Sequence, residues 1–429
     1  MRLTFSRAAK WLAPIAVLAS AAVILTACST PTAAPSSGSI KGINLTFGGW
    51  GGEEGATKAD FDGFRSSFSK STGADVQWVG ASYDQTQQQL ELKAQSNPVD
   101  VAQVDIGWIT SFASKNQLVD LNTVYGKSAL ESLYPKNYLA LGQYDGKQVA
   151  LPWTIASISL VANMDVLKKA GITEVPKTTK DFSDDLAKIK ASQPDVIPYA
   201  LNTKTAGLVS PFMQPWIWTF GGSIYDSKGN VTAGGSGTTK ALDYLSGLVN
   251  DGLVQKDVDI FSARTLFAQG KVAFYDDAII ARSLVTDKTE AAAVMPVARP
   301  VVISGDEPQS TQWGHALVMF KKDRSAQELS AAKQFMTWLE TPKVVGSYFT
   351  SQGLLPATTA GLATKPADDY AKEWTAITAS SRPDETAALP NGAQVATIIG
   401  QHGEAAYNGI ETPKQAADGM AAELKQLAQ

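Results

Sequence analysis

The chain carries ten tryptophans in 429 residues. Six of them, Trp50, Trp108, Trp153, Trp216, Trp218 and Trp313, fall where strand ends, loops or crossings between domains are expected. An indole offers a flat apolar face for stacking and one N–H donor. Glu53 and Asp105 stand close to Trp50 and Trp108 in sequence, and Asp276, Asp277 and Arg382 fall at strand ends or a helix end elsewhere. Carboxylates accept hydrogen bonds, and a guanidinium donates through a rigid fork. Such groups can stack on and hydrogen-bond a neighbour, whether a ligand or the protein's own core, without breaking a bond. Bond-breaking machinery is poorly represented. The two histidines, His315 and His402, lie far apart, and no HExxH, CxxC or paired-histidine spacing offers a transition-metal site. There is no GxSxG nucleophile elbow and no GxxxxGK[ST] phosphate loop.

The elements that must position these residues alternate between strand and helix. Ile43 to Phe47 reads as a strand, and Gly48-Gly49-Trp50-Gly51-Gly52 turns off its end. Glycines there let backbone approach a ligand while Trp50 supplies a stacking face, or they make a plain tight turn. Glu53 and Glu54 follow; one of them faces a cleft, or both simply favour a helix start. Phe61, Phe64 and Phe68 share one helical face, closed by Gly73. Ala74 to Val79 is the next strand, Asp84 to Gln95 a polar helix, and Val99 to Val104 an apolar strand ending in Asp105. Asp105 is a ligand contact or the N-cap of the helix after it. This β-α-β-α-β order implies a parallel sheet with helical crossovers.

A second α/β unit begins near residue 157. Ser157 to Ala162 is a strand, followed by helices over Met164 to Ala170, Asp181 to Ala191 and Thr239 to Asn250. The segment Gln214-Pro215-Trp216-Ile217-Trp218 is expected as a loop. A strand over Lys271 to Tyr275 delivers Asp276 and Asp277, whose side chains point oppositely, so that only one faces a cleft. Trp313-Gly314-His315 marks a second crossing, where His315 is a hinge residue or a contact. Helices over Ala326 to Glu340, Pro342 to Ser351, Asp368 to Ser380, Ala393 to Tyr407 and Pro413 to Leu427 close the chain. Trp338, Trp374 and Trp78 lie in helices or a strand and are expected to pack. Arg382 beside Pro383 is a contact or plain surface.

Composition bounds the rest. Hydrophobic content of 44% and charged content of 18% describe a globular chain. Arg2, Arg7 and Lys10 form a basic start, and Trp11 to Leu25 an apolar run of about 15 residues. That run is short of the roughly 20 residues of a spanning helix. Leu25-Thr26-Ala27-Cys28 then resembles the bacterial lipobox, whose cysteine takes a diacylglyceryl group and becomes the new N-terminus. The resemblance implies a signal peptide over residues 1–27, lipidation of Cys28, and export to the outer face of the cell membrane. Residues 28–39 are an unpatterned tether. Loss of the three N-terminal cations takes the formal charge from −4 to −7. A mildly acidic chain without basic runs argues against a nucleic-acid partner. Cys28 is the single cysteine, so no disulfide forms within the body.

Four segments together resemble one family. "NPVDVAQVDIGWITSFASKNQLVDL" (97–121), "LPWTIASISLVANMDVLKKAGI" (151–172), "LFAQGKVAFYDDA" (266–278) and "AAKQFMTWLETPKVVGSYFTSQGLLPA" (331–357) are similar, in this order, to the extracellular solute-binding proteins of carbohydrate ABC importers, the group that includes maltose-binding protein. The second ends in that family's Asn-x-Asp-x-Leu pattern at Asn163, Asp165 and Leu167. The resemblance implies a two-lobed periplasmic-binding-protein-like α/β fold, each lobe a sheet flanked by helices. Lobe I would hold residues 40–152 and 312–355, and lobe II residues 156–311 and 356–429. Hinge crossings fall near Leu151 to Ile155, Gln309 to Trp313 and Leu354 to Ala357. It also implies a carbohydrate ligand, ABC permease subunits as partners, a monomer, no cofactor and no enzymatic step. In this family Asp105 would bridge sugar hydroxyls, and Trp216 or Trp218 would stack before the Phe220-Gly221-Gly222 turn. A polyamine would also suit acids among aromatics. A polysaccharide hydrolase would need two carboxylates at a set distance, with Asp105 and Asp276 as the pair.

Overall fold

The computed structural model describes residues 39–427 other than 56, 205, 227, 353, 364–367 and 388. Cys28 and the expected signal segment lie outside the described residues.

The strands are β1 (Asn44–Gly49), β2 (Asp75–Gly80), β3 (Val101–Asp105), β4 (Gln143–Tyr144), β5 (Lys147–Gln148), β6 (Ala150–Asn163), β7 (Ile197–Ala200), β8 (Val272–Asp277), β9 (Val294–Val297), β10 (Thr311–Met319), β11 (Leu355–Pro356) and β12 (Arg382–Pro383). The main sheet runs β2-β1-β3-β10-β6-β8-β7. Its β2-β1-β3 end is parallel, as the β-α-β-α-β order requires, whereas β10 and β6 lie antiparallel to their neighbours β3 and β8.

The helix Lys58–Thr72 shows how sequence becomes packing. Its Phe61, Phe64 and Phe68 are buried, and Gly73 ends it at φ 75°, a left-handed position that suits glycine. Burying each ring stabilises by about 1.5–3 kcal/mol relative to exposure. These rings join Phe47 of β1, Leu151, Trp153 and Ile155 of β6, and Phe335 and Leu339 in one core.

Strand β6 explains the larger plan. It is 14 residues long and every residue but the last is buried, so both of its faces are covered. Its first part pairs with β10 and β11, and its last part with β8 and β9. Leu151, Trp153 and Ile155 enter the core just described, while Leu160 and Ala162 enter another with Phe182, Tyr199, Trp216, Leu245, Ile399 and Leu424. A third cluster, containing Ala156, Ile158, Tyr275, Tyr370 and Trp374, packs on the middle of the strand. The two largest cores thus sit at opposite ends of one strand.

The expected loop around Trp216 is a helix, Ala206–Thr219, with Pro211 and Pro215 inside it. Prolines four apart read as helix breakers because each lacks the N–H of the ladder. Here tertiary packing overrides that cost. The Pro211 carbonyl, which Pro215 cannot bond, accepts the Thr311 hydroxyl of β10 at 2.8 Å. Val209, Met213, Trp216 and Ile217 are all buried against the second core.

Candidate functional site

Strand β3 ends at Asp105, which is 7% exposed. Its Oδ1 accepts the Gly107 N–H at 2.7 Å, capping a short 3-10 turn. Its Oδ2 accepts Trp313 Nε1 at 2.7 Å and the Tyr83 hydroxyl at 2.9 Å. The cap and the polar hub are therefore one residue. Burial pushes the Asp105 carboxyl above its usual range; the donors pull it back, and the charge of Asp384 adds to the rise. Tyr83 is pushed up as well, by burial and by Asp105, so it remains a neutral donor.

Aromatic rings enclose this carboxylate. Tyr83, Trp108 and Trp313 are half-buried. Trp50 is 3% exposed and lies beneath them, edge to face with Tyr83 at 5.2 Å, Trp108 at 5.4 Å and His315 at 4.8 Å between centroids. Trp50 is the floor of the cluster, and the half-buried rings hold its accessible surface. Its flanking glycines serve protein packing. A Cβ on Gly51 would lie 2.2 Å from the Phe61 ring, and one on Gly52 2.5 Å from Trp78. The loop is also held by Gln103, whose Oε1 accepts the Gly51 N–H at 3.1 Å. The Gln103 amide nitrogen stands 3.2 Å from His315 Nδ1, which places the imidazole proton on Nε2. Burial pushes the His315 pKa down to about 3, so this ring is neutral.

The β8 end presents different chemistry. Asp277 accepts Arg264 Nε at 2.8 Å, Arg264 Nη2 at 2.7 Å, the Tyr275 hydroxyl at 2.9 Å and its neighbour Ala278 N–H at 2.8 Å. Asp276 points the other way, as strand alternation demands. It pairs with Arg299 and accepts the Tyr199 hydroxyl. Arg264 on the helix Ile260–Ala268 is 28% exposed, and its charge reaches Glu54 and Tyr83 of the other half. Burial pulls the guanidinium's pKa down, and Asp277 more than restores it.

Beyond β12, Asp384 accepts Gln214 Nε2 at 2.8 Å and the Thr386 N–H at 2.7 Å. Glu385 accepts the N–H groups of Ile224 and Tyr225, each at 2.8 Å, and Trp218 Nε1. Arg382 is exposed, with its guanidinium carbon 4.5 Å from the centre of the Trp218 ring.

The structure brings together Asp105, Trp50, Trp108 and Trp313, and holds Trp153, Trp216, Asp276 and Asp277 in buried contacts of their own. Trp153 is 1% exposed; its Nε1 donates to the Leu339 carbonyl at 2.7 Å, and its ring stacks on Tyr348. Trp216 is fully buried and donates to the Tyr199 hydroxyl at 3.2 Å. Asp276 is consumed by Arg299. Asp277 acts through Arg264, because four donors fill its oxygens. Glu53 is exposed and accepts Trp78 Nε1 at 2.7 Å, whereas Glu54 is the acid that feels Arg264. Tyr83, Arg264 and Asp384 were not singled out by the sequence. Tyr83 sits one residue before the expected helix, and Arg264 lies inside a helix with no motif around it.

Two halves with separate cores, joined by the long strand β6 that enters both, define a two-lobed binding-protein fold. The chain belongs to the bacterial extracellular solute-binding proteins, whose family model matches residues 64–379. A probable ABC transporter-binding protein of Deinococcus radiodurans is 29% identical over 167 residues, 38% of this chain and 39% of that one. A diacetylchitobiose binding protein of Streptomyces coelicolor is 31% identical over 123 residues, 28% of each chain. The match spans about two-fifths or less of the length of these curated relatives. Among solved structures, the GacH receptor of Streptomyces glaucescens superposes with a TM-score of 0.78 at 21% identity, covering 90% of this chain and 98% of that one. An ABC transporter solute-binding protein of Thermotoga lettingae, bound with α-D-tagatose, gives 0.80 at 19% identity, covering 90% and 100%. At these identities the likeness shows the fold. Among the described residues no helix is long and apolar enough to cross a membrane.

Proposed function

We propose that the chain captures a sugar or oligosaccharide outside the cytoplasmic membrane by closing two lobes on it, and delivers it to the permease of an ABC importer. One observation carries this reading. Half-buried Tyr83, Trp108 and Trp313 surround the Asp105 carboxylate on one wall, and the charges of Arg264 and Asp384 reach that wall from the other. Rings stack on the C–H faces of a sugar, and carboxylates and a guanidinium meet its hydroxyls. The relatives support the ligand class: one is a diacetylchitobiose binding protein, and the GacH receptor was crystallised with acarbose.

In this reading lobe I comprises residues 40–152 and 312–355, and lobe II residues 156–311 and 356–429. Crossings near Leu151 to Ile155, Gln309 to Trp313 and Leu354 to Ala357 form the hinge. Ligand favours the closed state by its differential affinity for that state. The protein acts as a monomer, tethered through lipidated Cys28 and residues 28–39, and performs no bond-breaking step. Of the carboxylates a hydrolase would need, Asp276 is already committed to Arg299.

A thermal-shift panel of mono-, di- and trisaccharides, with putrescine as a separate arm, tests the ligand class. Ligand at 100 times its Kd stabilises by about 2.7 kcal/mol. A saccharide hit should also shrink the radius of gyration in solution scattering. A shift with putrescine alone would replace the sugar by a polyamine. Cys28→Ala should move the protein from the membrane fraction to the soluble one.

A further inference from the structure

His402 lies on the helix Gly392–Tyr407 and faces Pro413–Leu427, the last helix of the chain. Its side chain is 11% exposed, and both ring nitrogens meet carboxylates. Nδ1 stands 2.8 Å from Glu411 Oε2, in the turn between the helices, and Nε2 stands 3.5 Å from Glu423 Oε1 on the last helix. Gly419 lets the ring sit against that helix, since a Cβ there would lie 2.4 Å from His402 Cε1. Ala416, Ala417, Met420, Ala421 and Leu424 of the same helix are buried in the second core. The other titratable groups around this seam have their own surroundings. Lys414 pairs with Asp418, and Lys425, Lys240 and Asp243 are exposed. The helix Ala206–Thr219, packed on the far side, carries no titratable side chain. Burial pushes Tyr244 and Tyr407 up, so both stay neutral. Glu404, two residues past His402, is half-buried; burial pushes its carboxyl up, with Asp257 adding to the rise and Lys204 opposing it.

We infer that His402 is a proton-gated latch on the C-terminal helix: the imidazolium holds Glu411 and Glu423 together, and the neutral ring lets Glu423 go. An imidazolium has two N–H donors, one for each carboxylate. A neutral ring has one donor and one lone pair, so it satisfies one acid and turns a lone pair toward the other. The 2.8 Å contact is the shorter, so the proton that stays is on Nδ1, toward Glu411. Nε2 then faces Glu423 with no hydrogen to share. The contact retained is local to the turn; the contact released is the one that joins the two helices. Glu423 is 52% exposed, so water takes over its carboxylate and the change is graded, not an unfolding. Imidazole is the side chain whose charge changes between about pH 5 and 8, so the last helix is held less firmly toward the alkaline side of that window. The family is extracellular, so the latch meets the pH of the medium directly. It stands apart from the ligand cleft and does not depend on which solute is bound.

Two measurements on the mature chain test the latch. The chain has two histidines, so isotope-labelled histidine gives two ring signals in nuclear magnetic resonance. His402 should carry both ring protons at about pH 5 and the Nδ1 proton alone at about pH 8, the tautomer opposite to that of His315. Hydrogen exchange, corrected for its intrinsic pH dependence, should show the amides of Pro413–Leu427 opening about two- to fivefold more often at the higher pH. Glu423→Gln changes an exposed side chain, and its amide can meet the ring in either state, so the pH difference should vanish with the fold intact. His402→Gln should abolish the difference as well. Glu404→Gln should leave it in place, which separates the latch from the other acid on its helix. A neutral His402 that keeps its proton on Nε2 overturns the inference. So does a wild type with no pH difference, or a difference that survives Glu423→Gln or disappears with Glu404→Gln.

Discussion

Trp313 Nε1 donates to Asp105 Oδ2 at 2.7 Å, tying the start of β10 to the end of β3. The bond makes Asp105 the point where β10, the Tyr83 hydroxyl and the backbone of Gly107 converge. Its carboxyl is held above the usual 3.8 by burial, with Asp384 adding to the rise. If sugar hydroxyls are read by the ionised form, affinity falls as pH drops through this raised value. Asp384→Asn removes a negative charge, lowers the Asp105 pKa, and should move the acid limb of binding to lower pH. Calorimetric titration between pH 4 and pH 8 checks the direction; a limb that stays put removes Asp384 from the site.

Burial divides the tryptophans into two kinds. Trp108→Ala should weaken sugar binding at least several-fold, because a lost aromatic contact costs about 0.5–1.5 kcal/mol beyond area, with the apo melting temperature nearly unchanged. Trp153→Ala empties a fully packed site in the first core, and such changes cost about 3–5 kcal/mol. It should lower the melting temperature steeply while the folded fraction binds as before. Denaturation and affinity measured on the same samples separate the two effects.

Much of this fold is readable from the chain. The helix Lys58–Thr72 follows from three phenylalanines and a closing glycine, and Pro413–Leu427 has its expected limits. Asp105 is visible because an apolar run ends on an acid. The helix Ala206–Thr219 is hidden by Pro211 and Pro215, since what compensates them, a hydroxyl on Thr311, lies 100 residues away. The same distance problem hides the site. Nothing local distinguishes Arg264 from a surface cation, and its bidentate pairing appears only when Asp277, 13 residues on, is seen beside it. Nor does sequence reveal that Trp216 faces inward, because which side of a helix is covered depends on elements that arrive later.

The GGWGG turn is tuned to its own core. Gly51→Ala would place a methyl 2.2 Å from the Phe61 ring, forcing either the loop or the ring to move. Overpacking of this kind costs about 1–3 kcal/mol. The variant should unfold at lower denaturant with an unchanged slope. It should also bind sugar less well, because a shifted loop displaces Trp50 beneath Tyr83 and Trp108.

Glu340 gives stability a pH dependence remote from the ligand. Burial raises its pKa to about 8, opposed by the Tyr134 hydroxyl. The folded state then retains a proton that the unfolded chain releases near 4.5, so stability falls as pH rises between those values. Glu340→Gln keeps the neutral form at every pH. It should raise the melting temperature at pH 8 relative to wild type and flatten the profile from pH 5 to pH 8. Parallel profiles for the two proteins would mean that Glu340 ionises freely.

Arg299 and Asp276 test whether the first acid after β8 belongs to the core. Both side chains are essentially sealed from solvent, and the guanidinium lies 4.7 Å from the centre of the Trp216 ring. Removing one partner leaves a buried charge without its counter-ion, which costs about 3–5 kcal/mol, whereas replacing both by apolar or neutral groups is often close to neutral. Arg299→Met should therefore melt far below wild type. Adding Asp276→Asn should recover a large part of that loss, since the amide can still meet the Tyr199 hydroxyl without a net charge. Arg382→Ala, at an exposed guanidinium over Trp218, should leave the melting temperature within a degree or two, because surface substitutions shift stability by about 0.5 kcal/mol or less. If Arg299→Met melts like wild type, the pair carries no structural charge; if the double variant also loses sugar affinity, Asp276 returns to the ligand site.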